Sequence, residues 1–122
     1  MRYMMIYKPT DVRQMEEGAP PTEGQMAAMG QFIGEMVKSG ILVAADGLLS
    51  SARGARVRLS KGKVSVTDGP FAETKELIGG FAIVQLKSKA EAIDLAKRFL
   101  AVAGDGESEI REMHDVPAFP PA

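Results

Sequence analysis

A chain of 122 residues fits one domain, taken here as 1–122, and leaves no room for a second core. With 45% apolar and 25% charged residues it matches ordinary globular proteins, which excludes extended disorder and coiled-coil rods. A formal net charge of -1 leaves no excess cation for general phosphate-backbone contact, so a stand-alone nucleic-acid binder is excluded too.

Cysteine is absent, which removes disulfides, thiolate catalysis and cysteine-ligated metal from the inventory. The first residues are too short an apolar run for an export signal, and no stretch approaches a membrane span. The expected address is the cytoplasm, with no membrane partner.

Residues 2–7, Arg2-Tyr3-Met4-Met5-Ile6-Tyr7, predict a strand that is apolar on both faces. Residues 9–21 follow as a polar loop with three prolines. Thr22 and Gln25 have the spacing of a capping box, and Met26, Met29, Ile33, Met36 and Val37 form the apolar stripe of the helix it opens. Gly40 stands just past its end. Residues 41–45 predict a second strand.

Runs 55–59 and 64–67 flank Ser60-Lys61-Gly62-Lys63. With Lys61-Gly62 as the turn, Leu59 faces Val64, Val57 faces Val66, Arg58 faces Ser65 and Arg56 faces Thr67. Apolar meets apolar and polar meets polar in one register, the mark of a hairpin. Residues 79–86 predict a further strand, largely apolar on both faces. Ser88 and Glu91 predict a second capping box, opening a helix with Ile93, Ala96, Phe99, Leu100 and Ala103 inward. A polar edge strand over 107–113 and a proline-rich tail over 116–122 complete the chain.

This order predicts an α+β fold: a ferredoxin-like β-α-β-β-α-β unit with an inserted hairpin, its antiparallel sheet covered by two helices on one face. Two helices cover only one face, yet the first strand and the 79–86 strand are apolar on both. The other face should therefore be covered, most simply by a second copy's sheet across a two-fold axis. The alternative cover, the 9–21 loop, offers only Val12 and Met15.

Most familiar catalytic motifs are missing. A single histidine excludes a histidine-rich metal centre within one chain, and no metal or cofactor is implied. The densest chemistry lies between the hairpin and the 79–86 strand, where Asp68, Glu73, Lys75 and Glu76 crowd into nine residues. Asp68-Gly69-Pro70 is also turn chemistry, with a glycine expected at positive φ, and the charges also suit a solvated loop. Arg53, Arg56 and Arg58 could clamp an anion or simply line the hairpin's polar face. His114, beside Asp115, is either an exposed strand-end residue or an acid–base group near neutral pH. The eight methionines read as core filler.

The run Thr67-Asp68-Gly69-Pro70-Phe71-Ala72-Glu73-Thr74-Lys75-Glu76-Leu77-Ile78-Gly79-Gly80-Phe81 resembles the signature of the DGPF-domain, YCII-related family. The likeness extends over the opening strand and the hairpin, from residue 1 to about residue 115. It implies a dimeric α+β barrel. Related proteins have been proposed as enzymes on a histidine–aspartate pair in a cleft. Asp68 matches the aspartate, but Tyr7-Lys8-Pro9 stands where the histidine would be, and His114 lies at the other end of the chain. Similar members often occur beside extracytoplasmic-function sigma factors, which implies a regulatory role.

Three functional readings result. The first is a dimeric small-molecule-binding domain, and on that reading an enzyme only if Asp68 transfers a proton. Its pocket lies between sheet and helices near the 68–76 loop; Asp68 and, more weakly, His114 would be catalytic, and Gly69, Pro70, Phe71, Glu73, Lys75 and Glu76 would bind ligand. The second is a non-catalytic regulatory module that docks a sigma factor. The third is a structural dimer without a ligand.

Overall fold

The computed structural model describes residues 1–71 and 77–115. Strand β1 (Arg2–Pro9) runs through the centre of a four-stranded antiparallel sheet. Its neighbours are β5 (Gly80–Gln85) and β6 (Gly106–Glu112), and β2 (Leu42–Gly47) lies outside β5, giving the order β2-β5-β1-β6. Helices α2 (Glu23–Lys38) and α3 (Lys89–Ala103) pack on one face. This is the expected ferredoxin-like arrangement.

The alternation of β1 decides which side chains meet the helices. Tyr3, Met5 and Tyr7 point one way, and their partners Val84, Ala82 and Gly80 on β5 share that face. Tyr3, Met5 and Val84 are buried with Phe32 and Met36 of α2, and with Ala92, Leu95 and Ala96 of α3. Met4, Ile6, Phe81 and Ile83 point to the opposite face and stay half-exposed, because no helix among the described residues covers them.

Phe32 is a core residue outside the predicted stripe of α2, whereas Met26 and Val37, which the stripe includes, are 54% and 60% exposed. On α3 the buried residues are Ala92, Leu95 and Ala96, and Ile93 is exposed. In both helices the packed face is rotated from the expected stripe, because the partner surface rather than the period alone sets it.

Thr22 and Gln25 form the complete capping box, each side chain bonding the other's backbone. At α3 Ser88 caps Glu91 N–H, but the Glu91 carboxylate accepts from Lys87 N–H instead, one residue short of a closed box. The 9–21 loop contains a four-residue helix, α1 (Arg13–Glu16), which the sequence pattern does not announce.

Strands β3 (Ala55–Ser60) and β4 (Lys63–Asp68) pair as a separate hairpin in the predicted register, Leu59 opposite Val64 and Val57 opposite Val66. Lys61 and Gly62 both take positive φ, as a two-residue turn matching strand twist requires. The hairpin leaves the sheet and is solvated on both faces; Val57, Leu59, Val64 and Val66 are 64–71% exposed. Among the described residues no helix is long and apolar enough to cross a membrane.

Candidate functional site

The chain leaves β4 at Asp68 and turns sharply against the 3-10 turn Ser51–Arg53. Gly69 N–H donates to the Gly54 carbonyl, and the Gly69–Pro70 peptide is cis. Gly69 does not sit at positive φ, contrary to expectation. A Cβ at this position would instead overlap the Ser51 carbonyl oxygen, so the glycine is there for close backbone approach.

Phe71 N–H donates to Ser51 Oγ at 3.0 Å, and the Arg56 guanidinium lies 4.0 Å over the Phe71 ring. Ser51 Oγ in turn donates to Glu16 Oε2 at 3.0 Å, joined there by Ser50 Oγ and Ser51 N–H, both at 2.8 Å. The three donors, foremost the Ser51 hydroxyl, hold the Glu16 carboxyl below its ordinary pKa against the opposing effect of burial. Glu16 belongs to α1, so the 68–71 corner and the α1 segment are tied through one carboxylate.

Asp68 itself is exposed at the end of β4, opposite Ala55, with no hydrogen bond from its side chain among the described residues. Glu73, Lys75 and Glu76 lie outside the described residues, as does the 116–122 tail. His114 is exposed beyond β6, where its carbonyl accepts from the Arg2 guanidinium at 2.9 Å. That is the Arg2 end of β1, whereas Gly79, where the loop after Asp68 rejoins the sheet, bonds the Tyr7 carbonyl near the other end. His114 is thus placed away from where this loop returns. No cluster of three histidine, aspartate or glutamate side chains suited to a metal occurs among the described residues.

A cleft of about 650 Å³ opens between the sheet and the two long helices. Met5, Ala82 and Tyr7 form its floor, Met29, Phe32, Ile33 and Met36 its α2 wall, and Phe99 and Val102 its α3 wall. Met26, Gln14 and Pro21 stand along α2 and the 9–21 loop, where Gln14 Nε2 donates to the Pro20 carbonyl and to Gln25 Oε1. Gly79 and Gly80, the exit of the signature loop, border the same space. Of the residues singled out from sequence for ligand contact, none of Asp68, Gly69, Pro70, Phe71 and His114 lines it.

Two polar groups on the cleft floor are absent from the sequence-based candidates. Tyr7 and Ser108 are cross-strand neighbours on the helix-facing side. Tyr7 packs edge-on against Phe99, with ring centroids 5.1 Å apart. Its hydroxyl lies 3.3 to 3.5 Å from the carbonyls of Ala103, Gly104 and Asp105, all longer than a good O–H···O bond, and it has one proton to share. Burial, with the Asp105 charge adding to it, keeps this phenol above its ordinary pKa, so it is neutral and a donor near pH 7. Ser108 Oγ is buried without a hydrogen-bond partner among the described residues. Strand parity carried the signal for Ser108: it shares a face with Ile110 on an otherwise polar edge strand.

A family model described as a YCII-related domain matches residues 1–116. An uncharacterized protein of Rhizobium meliloti (strain 1021) is 37% identical over 78 residues, which is 63% of this chain and 63% of that protein.

Proposed function

This chain belongs to the YCII-related domain family, and we propose that it acts as a dimeric small-molecule-binding domain whose ligand enters the cleft between sheet and helices. The observation that carries the reading is the cleft: a concave, mostly apolar space of about 650 Å³ is the size class of ligand pockets, and it carries a few convergent polar groups. It is bordered by Gly79 and Gly80, at the end of the loop that begins at Asp68. In this reading Asp68, which does not line the cleft in the single chain, is the carboxylate proposed to anchor ligand or transfer its proton, with His114, at the far end of β1, a weaker candidate and Gly69, Pro70, Phe71, Glu73, Lys75 and Glu76 the proposed ligand contacts. Whether the domain is an enzyme turns on Asp68.

The dimer is supported by the open sheet face. Met4, Ile6, Phe81 and Ile83 make an apolar strip there. It is flanked by Lys8 of β1 and by Glu109 and Arg111 of β6, in ion pairs of 3.0 and 3.3 Å. An apolar centre with a charged margin is the anatomy of a protein interface.

A second reading is favoured by one observation. The β3–β4 hairpin holds four apolar side chains in water, an exposed patch of the kind that marks a docking surface. A regulatory module binding an extracytoplasmic-function sigma factor would use it.

The test is a thermal-shift screen of a metabolite library on wild type and Asp68→Asn, which preserves shape and much of the hydrogen bonding. Ligands that stabilise wild type and not Asp68→Asn place Asp68 in the site. A ligand stabilising both equally removes Asp68 but keeps the cleft. No hit on either protein moves the reading to the regulatory module.

A further inference from the structure

The walls of the cleft narrow the ligand to one chemical class. Of the described residues around it, Asp46 is the one with a charged side chain, and as the cross-strand partner of Phe81 it shares the face opposite the cleft. Among the described residues no lysine, arginine or histidine borders the space. Against these walls an anionic ligand would lose its hydration without gaining a cation, a transfer that is strongly unfavourable. A sugar-like molecule would fare little better, because the α2 wall is Met29, Phe32, Ile33 and Met36 and can pair with no ring of hydroxyls. What the floor does supply is a single polar spot, the adjacent hydroxyls of Tyr7 and Ser108.

Both hydroxyls have capacity to spare. Ser108 Oγ is withdrawn from water and has no protein partner among the described residues, a state that costs free energy until something bonds it. Tyr7 has only long contacts to three carbonyls and can turn its one proton elsewhere. The surrounding methionines are flexible and polarisable, so they can close on ring systems of differing outline.

Resting on the reading of the cleft as a ligand site, we propose that it binds an uncharged molecule with a ring-sized apolar body and one oxygen substituent, held by Ser108 and Tyr7. Such a molecule satisfies the buried hydroxyl and leaves no polar group of its own against the α2 wall. Ser108 is then a specificity-determining residue, selecting the oxygen-bearing compound over the bare hydrocarbon.

Three probes of one shape test this by calorimetric titration at pH 7: naphthalene, 2-naphthol and 2-naphthoate. The neutral 2-naphthol is expected to bind one per chain, and the carboxylate at least about tenfold more weakly. Ser108→Ala should weaken 2-naphthol roughly fivefold and leave naphthalene unchanged. Gly30 lies on α2 beside the cleft, and a Cβ there meets nothing within 4 Å, so the backbone admits Gly30→Leu, whose side chain is aimed at occupying the space. That variant should stay folded by circular dichroism and bind none of the three.

The outcomes separate the two claims. If 2-naphthoate binds as tightly as 2-naphthol, or Ser108→Ala shifts naphthalene and 2-naphthol alike, the ligand class is wrong while the cleft survives as a site. If none of the probes binds wild type, or Gly30→Leu binds them as wild type does, the cleft is not a binding site and both claims fall.

Discussion

At Gly69 the chain passes so close to the Ser51 backbone that hydrogen is the largest substituent the site admits. The obstacle is a carbonyl oxygen rather than the end of a flexible side chain, so the turn itself must shift to make room. Gly69→Ala is therefore expected to cost more than about 1 kcal/mol in urea unfolding, although alanine is ordinarily the mildest change. An unchanged midpoint would show that the corner relaxes freely. The need for glycine here is legible in Asp68-Gly69-Pro70, but its cause is not. Turn chemistry points to positive φ, whereas the cause is a residue 18 positions upstream that only the folded chain brings near. Ser108 is the converse case. Its inward parity is legible once β6 is aligned on β1, yet its lack of a partner among the described residues depends on how α3 and β6 pack, which no local pattern encodes.

Helix α1 has four residues, too few to persist on its own backbone bonds. Its anchor is Glu16, and the sign of its pH dependence follows from the lowered carboxyl pKa. A depressed folded-state value means stability that is fully present above the ordinary pKa of 4.5 and is lost as pH falls through the folded value. Wild type should thus melt above Glu16→Gln by a constant margin between about pH 6 and 8, and the margin should shrink below about pH 4.5. A margin independent of pH would mean that the ionised carboxylate does not hold the segment. The contrast with the hairpin explains what sequence can convey about elements. The β3–β4 register was legible residue by residue, because its determinants are a two-residue turn and side-chain parity, both local. The α1 segment was not, because what holds it are Ser50 and Ser51, more than thirty positions away. The helix stripes fall between: their existence was readable, but the inclusion of Phe32 and the exposure of Met26 and Val37 depend on the angle at which α2 meets the sheet and α3.

At the scale of the whole molecule, the two-sided apolar pattern of β1 and β5 is the sequence feature with the widest reach. Both helices lie on one face, which accounts for Tyr3, Met5, Ala82 and Val84 but leaves Met4, Ile6, Phe81 and Ile83 without cover from α2 or α3. The 9–21 loop, the other candidate cover, sends Gln14 and Pro21 to the helix-side cleft. A face of this composition left in water would be an aggregation hazard, and a second copy across a two-fold axis covers both faces at once. Wild type is therefore expected to sediment at micromolar concentration as a species of twice the 13.0 kDa chain mass. Met4→Asp places a carboxylate at the centre of the strip, where pairing would bury it without a partner, so the dimer should dissociate. Because Met4 is half-exposed in the single chain, the variant has no equivalent reason to unfold, and its circular dichroism spectrum should stay that of wild type. Arg111→Ala, at the charged margin, should weaken the dimer far less, since exposed ion pairs contribute little. A wild type that sediments as a monomer would overturn the dimer, and a Met4→Asp variant that remains a full dimer would remove this face from it and turn attention to other exposed apolar groups such as those of the β3–β4 hairpin.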